Sequence, residues 1–253
     1  MSKRYKQFLK DAKDKSFDEK HRQTLLFNIN RYNNAVKNGL NNYTDLELAR
    51  NRAAWLKRKV LNNWDEYLVQ FEKNALKNGA EVLWAKTSVE AMQHVKDVFD
   101  SVNARVVVKG KSMITEELQF NEVVEEWGVE PVETDLGEFI VQVAGEKPYH
   151  ILTPAMHKSK EDVAQLFTEK FGTAKDATPQ ELTAFVRDLL RKKFIRADVG
   201  ITGANFLLAD TGSVCLTENE GNILLSASLP KTHIVLVGIE KIIPSIDNLS
   251  TFW

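Results

Sequence analysis

The chain has 253 residues and a formal net charge of −1, with 43% hydrophobic and 27% charged residues. This composition is ordinary for a soluble globular protein. No apolar run reaches the roughly 18 residues that a transmembrane helix requires, and the basic N-terminus lacks the apolar segment of a signal peptide. We therefore predict a cytoplasmic protein without a membrane span.

Cys215 is the only cysteine, which excludes an internal disulfide and a cysteine-ligated cluster within the chain. The five histidines form no zinc motif, so we predict no metal site. Residues 1–70 carry 15 Lys and Arg against 8 Asp and Glu, a net charge of +7, and the remainder carries −8. We interpret the basic segment as solvated helix faces and predict no nucleic-acid partner.

Residues 1–77 have the pattern of a helical arm. Thr44-Asp45-Leu46-Glu47 is a capping box that marks a helix start. From Leu48 to Phe71, apolar residues recur at the spacing of one helix face, which predicts one long helix. Asn78-Gly79 has the character of a helix C-cap. We predict an N-terminal helical arm over residues 1–77 and an α/β domain over residues 78–253.

From residue 80 to residue 196, short strand candidates alternate with helical segments. The predicted strands are Glu81–Trp84, Arg105–Val108, Val129–Glu133 and Tyr149–Thr153. The predicted helices begin at Thr87, Thr115, Asp135, Ser159 and Thr178 and end near Val102, Trp127, Val143, Phe171 and Arg196. Such alternation predicts a mainly parallel sheet with helices on both faces.

Beyond residue 196 the segments are too short for long helices. The predicted strands there are Val199–Thr202, Asn205–Ala209, Ser213–Thr217, Ile223–Ser226 and His233–Gly238. We expect added antiparallel or mixed pairing from them. Ligands of open α/β sheets bind outside the carboxyl ends of the strands. Because polar turns follow several strands, we expect Lys109–Ser112, Thr202-Gly203, Asp210–Ser213 and Glu218–Asn222 to converge on one cleft.

The loop Lys109-Gly110-Lys111-Ser112 has the ending of a phosphate-binding P-loop. That motif needs glycine at the position of Arg105, so ATP hydrolysis by a Walker mechanism is unsupported. A strand, a basic glycine loop and a helix start still favour an anion site. A plain loop is the alternative interpretation.

Glu218-Asn219-Glu220-Gly221-Asn222 places two carboxylates after a strand candidate. A carboxylate in such a position is suited to act as a nucleophile or general base, so Glu218 and Glu220 are the candidate catalytic groups. A turn with solvated acids is the alternative. Asp210-Thr211-Gly212-Ser213 resembles the aspartic-protease tripeptide, but that chemistry needs two aspartates.

The other candidate ligand-binding residues are glycines and polar side chains near strand ends. They are Thr202, Gly203, Asn205, Asp210, Thr211, Gly212, Ser213, Asn219, Gly221, Asn222 and His233, in addition to the loop of residues 109–112. For His233, a structural role in an apolar strand is the alternative.

Four segments together closely resemble the LUD-domain family of bacterial lactate utilization. They are VVKGKSMITEEL (107–118), VETDLGEFIVQVAGEKPYHILTPAMHK (132–158), ADVGITGANFLLADTGSVCLTENEGN (197–222) and LPKTHIVLVGIEKIIP (229–244). The resemblance covers roughly residues 40–250, and the motifs agree in order and spacing.

The resemblance implies a three-layer α/β/α sheet like that of the NagB/RpiA/CoA-transferase group. It also implies a role in oxidising L-lactate to pyruvate with two partner subunits. Full-length members hold two [4Fe–4S] clusters in a C-terminal ferredoxin-like region that this sequence lacks, so no cofactor is expected within this chain.

Three functions stay open at this point. The domain binds a small anionic ligand or a partner subunit within an L-lactate-oxidising complex, or it is an acyl- or CoA-transferase with a glutamate nucleophile. The third is a non-catalytic assembly module in which the helical arm contacts a partner.

Overall fold

The computed structural model describes residues 2–150 and 152–252. These residues form two compact units, each made of two separate chain segments. Unit 1 comprises residues 2–44 and 137–186, and unit 2 comprises residues 45–136 and 187–252. The division into an arm of residues 1–77 and a domain of residues 78–253 stays a prediction.

Residues 3–77 are mostly helical, as predicted. Asp18 and Asp45 are the N-caps of the second and third helices. Their side chains accept hydrogen bonds from the backbone N–H groups of His21 and Leu48. The single long helix predicted to reach Phe71 is instead two helices that meet at Asn63. The four helices are α1 (Lys3–Ser16), α2 (Glu19–Leu40), α3 (Leu46–Asn62) and α4 (Trp64–Lys77).

Seven further α-helices follow among the described residues. The predicted cap at Ser159 and the predicted capping box at Thr178 are confirmed by reciprocal hydrogen bonds with Asp162 and Glu181. The capping box predicted at Thr44 is wrong, because the neighbouring Asp45 caps that helix. The helices are α5 (Ser88–Val102), α6 (Met113–Glu117), α7 (Phe120–Glu126), α8 (Leu136–Ala144), α9 (Lys160–Phe171), α10 (Pro179–Arg196) and α11 (Asn222–Ser228). Two short 3-10 helices span Ile239–Lys241 and Ile246–Thr251.

Unit 1 is helical and holds an aromatic cluster. Phe139 of α8 packs edge-on against Phe167 of α9, with ring centroids 6.3 Å apart, and stacks on Phe171. Phe185 of α10 contacts both of these α9 rings. The side-chain amide of Asn28 in α2 donates to the carbonyl oxygen of Met156 at 2.8 Å, which joins the two segments of the unit.

Unit 2 contains two sheets. Its strands are β1 (Val106–Lys109), β2 (Glu130–Glu133), β3 (Val199–Thr202), β4 (Phe206–Leu208), β5 (Ser213–Cys215), β6 (Thr232–Val235) and β7 (Ile242–Ile243). The larger sheet has the order β2-β1-β3-β6, and all its pairings are parallel. In the smaller sheet β4 pairs antiparallel with β5 and parallel with β7. The predicted parallel sheet and the later mixed pairing are both confirmed.

Helices cover both faces of the larger sheet. On one face, Val107, Val199 and Ile201 pack with buried apolar residues of α5 and α7, including Phe99 and Phe120. On the other face α11 lies directly against β3. This gives the α/β/α layering expected for the fold. The smaller sheet packs on α3 and α4 through a separate core that contains Val60, Phe71 and Leu207.

Several predicted elements were wrong in type or extent. The predicted strand Glu81–Trp84 is irregular. The predicted strand Ile223–Ser226 lies in helix α11, since a short apolar run does not distinguish the two structures. The helix expected from Thr115 is two helices, because Gln119 between them has a left-handed φ of 51°.

The predicted strand Tyr149–Thr153 is also absent from its described residues, which are bends and irregular backbone. Its central residue, Ile151, lies outside the described residues.

Candidate functional site

The candidate site lies where strands β1 and β3 end beside the start of helix α11. Gly110 follows β1, and its backbone N–H donates to the carbonyl oxygen of Ile201 at 2.8 Å. A Cβ atom on Gly110 would lie 3.2 Å from Cγ1 of Ile223 and 3.7 Å from Cγ2 of Thr202. Two of the segments predicted to converge, Lys109–Ser112 and Thr202-Gly203, therefore meet at this edge of the sheet, together with Ile223, which follows the predicted segment Glu218–Asn222.

The loops after β1 and β3 also contact each other through Ser112 and Gly203. A Cβ atom on Gly203 would lie 2.7 Å from Ser112 Oγ and 3.2 Å from Ser112 Cβ. The Ser112 carbonyl oxygen accepts a hydrogen bond from Thr115 Oγ1 at 2.7 Å, which fixes the end of the loop. Glycine at position 203 permits this approach, as close backbone contacts require.

Lys109 is engaged inside the protein. Only 1% of its side chain is exposed, and its Nζ lies 2.9 Å from Glu133 Oε1 and 3.3 Å from Glu116 Oε1. It also donates to Thr115 Oγ1 at 3.0 Å. Burial raises the pKa of Glu133, and the charge of Lys109 opposes that shift. Lys109 thus neutralises the buried carboxylate of Glu133 and contacts the half-buried Glu116, while the half-buried Lys111 is the lysine of this loop nearer to solvent.

A buried polar cluster lies behind the loops. Thr134, directly after β2, donates from Oγ1 to the Lys109 carbonyl oxygen at 2.9 Å and accepts from Asn222 Nδ2 at 3.3 Å. Ser226 Oγ donates to the Asn222 carbonyl oxygen at 2.8 Å. The start of α11 is therefore tied to the ends of β1 and β2 through hydrogen bonds that are shielded from water.

The two candidate catalytic carboxylates have different surroundings. Glu218 Oε2 accepts hydrogen bonds from the backbone N–H groups of Ile223 at 2.8 Å and Leu224 at 3.0 Å. Such bonds satisfy free donors at a helix start, so Glu218 supports the first turn of α11. Glu220 Oε2 accepts one longer bond, from the backbone N–H of Leu136 at 3.3 Å.

Glu220 is the carboxylate of the pair that is suited to hold a proton. Partial burial raises its pKa, and the nearby charge of Asp135 raises it further. The backbone N–H of Leu136 and the charge of Lys111 act in the opposite direction. Gly221, with a φ of 75°, makes the turn between Glu220 and α11, and Asn219 is exposed in the same segment.

Thr202 and His233 form a pair between neighbouring strands β3 and β6. Thr202 Oγ1 lies 2.8 Å from His233 Nε2, and Thr202 is fully buried. Burial lowers the pKa of His233, which favours a neutral imidazole at pH 7. This geometry joins two parallel strands at the same edge as the loops described above.

Asn205 acts on the loop that carries the two glutamates. Its side-chain oxygen accepts a hydrogen bond from the backbone N–H of Thr217 at 2.8 Å. Its own backbone N–H donates to the Cys215 carbonyl oxygen at 2.9 Å. Asn205 therefore fixes the chain immediately before Glu218.

The turn Asp210-Thr211-Gly212-Ser213 lies elsewhere, between β4 and β5 and against helix α4. Asn74 Nδ2 donates to the carbonyl oxygen of Asp210 at 2.9 Å, and Asn78 Nδ2 donates to that of Thr211 at 2.8 Å. A Cβ atom on Gly212 would lie 2.8 Å from the Cα atom of Ala75. This turn therefore packs on helix α4, beside the smaller sheet. It lies apart from the loops at the ends of β1 and β3.

Thr134 and Asp135 are site residues that the sequence interpretation missed. Both follow strand β2, whose end was predicted at Glu133, and Asp135 raises the pKa of Glu220. The rule that selected the polar residues after β1 and β3 applies equally to β2. The position of these two polar residues directly after a predicted strand was therefore sufficient to select them from the sequence.

The residues of this chain do not fit an iron–sulfur cluster. A [4Fe–4S] centre is held by four cysteine thiolates, and the chain has one cysteine. Among residues 2–150 and 152–252, no group of three His, Cys, Asp or Glu residues is placed to hold a metal ion. No helix in that part of the chain is long and apolar enough to cross a membrane.

Comparison with known proteins gives one family and a set of similar relatives. The sequence model of the LUD domain matches residues 68–253. Lactate utilization protein B of Bacillus cytotoxicus is 47% identical over 194 residues, which are 77% of this chain and 41% of that protein. The protein of the same name from Bacillus subtilis strain 168 is 47% identical over 194 residues, 76% of this chain and 40% of the relative.

A third relative, lactate utilization protein B of Shouchella clausii, is 46% identical over 201 residues, 79% of this chain and 42% of the relative. This chain therefore spans about two fifths of the length of the curated relatives it matches. No solved structure gives a significant match.

Proposed function

This chain belongs to the LUD domain family, and we propose that it is a component of a bacterial L-lactate oxidation system that converts lactate to pyruvate. The identity of 47% over three quarters of the chain to relatives named for lactate utilization supports this proposal. The proposed partners are two other lactate-utilization subunits, and the proposed location is the cytoplasm. The [4Fe–4S] clusters belong, in this proposal, to a ferredoxin-like region outside residues 1–253.

We further propose that the edge formed by the ends of β1 and β3 binds a small carboxylate. Lys111 supplies the positive charge for the carboxylate group, and Glu220 supplies a group that holds or accepts a proton of the ligand. The observation that carries this proposal is the meeting of Gly110, Thr202 and Ile223 at one edge of the sheet. Ligands of open α/β sheets bind at such edges.

Calorimetric titration with lactate and pyruvate tests the ligand. We expect saturable binding that weakens about tenfold in Lys111→Gln and in Glu220→Gln, which corresponds to about 1.4 kcal/mol. Glu125→Gln changes an exposed glutamate of α7 and serves as the matched control. Absence of binding by both acids, or equal loss in the control, contradicts the proposed site.

Growth of the source organism tests the cellular role. A strain that lacks this gene is expected to lose growth on L-lactate as the sole carbon source, with growth on glucose unchanged. The wild-type gene restores growth on lactate. Normal growth of the deletion strain on lactate contradicts the proposed role.

The acyl-transfer alternative receives less support from the geometry. A glutamate nucleophile must be ionised and free to attack. Glu218 is held by two backbone N–H groups, and burial raises the pKa of Glu220. We therefore expect the intact mass of the protein to stay unchanged after exposure to acyl-CoA. A trapped acyl adduct on either residue would favour acyl transfer over carboxylate binding.

A partner-binding role of the N-terminal helices is favoured by one observation. Phe8 in α1, Phe17 at the end of α1 and Phe27 in α2 are 63%, 74% and 62% exposed. Large exposed apolar side chains are available to contact a partner, and contiguous patches of them mark interaction surfaces. The test is copurification of the candidate partner subunits with a Phe8→Ser, Phe27→Ser variant, in which we expect loss of the complex.

A further inference from the structure

Unit 1 contains a cleft that the candidate site described above does not use. Its volume is about 730 Å³, and its walls come from the end of α1, the first turns of α2, residues 146–149 and helix α9. Pockets that bind drug-sized ligands and cofactors measure roughly 300–1,000 Å³. The cleft is thus much larger than a three-carbon acid needs.

The aromatic ring of Tyr149 lines this cleft and is 46% exposed. One side of it is supported by His157, which stacks on it with ring centroids 3.8 Å apart and an interplanar angle of 22°. The ring of His21 meets Tyr149 edge-on at 5.4 Å. A tyrosine supported in this way and still half exposed offers a stacking surface for a planar ligand.

The support under Tyr149 is fixed by hydrogen bonds. His157 is 7% exposed, and its Nε2 lies 2.7 Å from Glu146 Oε2. Lys158 Nζ donates to the other oxygen of Glu146 at 2.5 Å. Because these groups are in place before a ligand arrives, ordering them adds little to the entropic cost of binding.

The charged side chains that line the cleft differ in whether they have partners within the protein. Asp18 caps α2, Asp162 pairs with Lys20 at 2.8 Å, and Glu146 is bonded to His157 and Lys158. Glu169, at the α9 wall, accepts a hydrogen bond from the side-chain amide of Gln165 at 2.9 Å. Within the described parts of the chain, Lys15 and Lys147 line the cleft without a carboxylate partner. Two ammonium groups of this kind suit a phosphate, for which lysine is a common point-charge ligand.

We propose that this cleft binds a nucleoside monophosphate, with the planar ring stacked on Tyr149 and the phosphate held by Lys15 and Lys147. The same chemistry, a planar heteroaromatic ring joined to a phosphate, is offered by AMP and by FMN. The proposal concerns a different unit from the small-carboxylate site and does not depend on it.

Calorimetric titration of the full chain with AMP, FMN, adenosine and ribose 5-phosphate tests the proposal. AMP or FMN is expected to bind more tightly than either fragment, because only the intact nucleotide uses both the ring surface and the lysines. The tighter of the two nucleotides identifies the size of ring that the cleft accepts. Failure of both to bind at millimolar concentration overturns the proposal, and so does equal binding of ribose 5-phosphate.

Two variants place the ligand in the cleft. Tyr149→Leu is expected to weaken nucleotide binding about 5- to 100-fold, the range that loss of one stacking contact gives, and to leave ribose 5-phosphate unaffected. The matched control is Tyr43→Leu, which changes a tyrosine of the same unit that is 42% exposed and does not line the cleft. An unchanged affinity in Tyr149→Leu overturns the stacking assignment.

Lys147→Gln is expected to weaken binding of AMP about tenfold and to leave adenosine unchanged. Lys160→Gln is its control, since Lys160 is exposed in the same unit and outside the cleft. Equal effects of the two lysine variants, or an equal effect of Lys147→Gln on adenosine, would show that the phosphate is not held there. Lactate and pyruvate binding is expected to be the same in all four variants, so this proposal and the small-carboxylate site succeed or fail separately.

Discussion

Gly200 and Ser226 bring strand β3 and helix α11 into direct backbone contact. A Cβ atom on Gly200 would lie 2.9 Å from the carbonyl carbon of Ser226 and would overlap its carbonyl oxygen. The start of α11 is consequently placed beside the ends of β1 and β3, where Ile223 approaches Gly110. The contact between these two residues sets the depth at which the glutamate-bearing loop approaches the sheet.

Gly200→Ala is therefore expected to destabilise the protein strongly. The new methyl group meets backbone atoms, which cannot rotate away, so we expect a loss of about 3 kcal/mol or more in the free energy of unfolding. Urea denaturation measures it. Gly39→Ala in α2 is the control, because nothing lies within 4 Å of its Cβ position; it should be neutral or stabilising by up to about 1 kcal/mol. Equal stability of the two variants contradicts the contact.

Glu218→Ala is expected to loosen the first turn of α11. The change removes the acceptor for the backbone N–H groups of Ile223 and Leu224, and loss of such a cap costs about 1 kcal/mol. Hydrogen exchange at these two amides should accelerate. Glu220→Gln, the control in the same loop, should leave their exchange unchanged. Slow exchange of both amides in Glu218→Ala would refute the capping role.

The edges of the parallel strands could be predicted from the sequence because their polar residues follow apolar runs directly. That rule correctly brought Lys109–Ser112 and Thr202-Gly203 together. The rule does not distinguish a side chain that contacts a ligand from one that pairs with another residue of the protein. Lys109 is an example, since it is buried against Glu133. The identity of a buried partner depends on which strands become neighbours, and that follows from the pairing of β1 with β2.

Backbone geometry accounts for most of the remaining differences. The left-handed conformation of Gln119 ends α6 and starts α7, and no residue preference at that position indicates it. The run Ile223-Leu224-Leu225 has no alternation of apolar and polar residues, so its length and composition suit a strand as well as a helix. The carboxylate of Glu218, five residues before Ile223, favours the helix because it accepts hydrogen bonds from the backbone N–H groups of its first turn.

The stability of unit 1 is expected to depend on pH through Asp162. Partial burial alone would raise the pKa of Asp162, but hydrogen bonds from Lys20 and Ser159 outweigh it and lower the pKa from 3.8 to about 2. A carboxyl group with a depressed pKa in the folded state stabilises it above the unfolded pKa. This contribution should be present above about pH 4 and lost as the pH falls to about 2.

The measurement compares wild type with Asp162→Asn by urea denaturation at several pH values. After allowance for solvent screening of a partly exposed group, we expect a difference of about 1 kcal/mol at pH 6. The difference should shrink towards zero near pH 2, while other carboxyl groups affect both proteins alike. A difference that stays constant across this range contradicts the shift.

Lys109→Met is expected to destabilise the protein by about 3–5 kcal/mol, because it leaves Glu133 buried without its cation. Pairing it with Glu133→Leu removes the stranded carboxylate, and a buried ion pair replaced by apolar side chains of similar volume is often neutral. We therefore expect the double variant to unfold within about 1–2 kcal/mol of wild type. Urea denaturation of the two single variants and the double variant completes the cycle.

The same cycle tests whether Lys109 only pairs with carboxylates of the protein or also contacts the ligand, as the sequence predicted. If the charge of Lys109 serves only Glu133 and Glu116, the double variant regains both its fold and its affinity for small carboxylates, since Lys111 is unchanged. A folded double variant that has lost this affinity would show that Lys109 also contacts the ligand. A double variant as unstable as the sum of the single variants would contradict the ion pair itself.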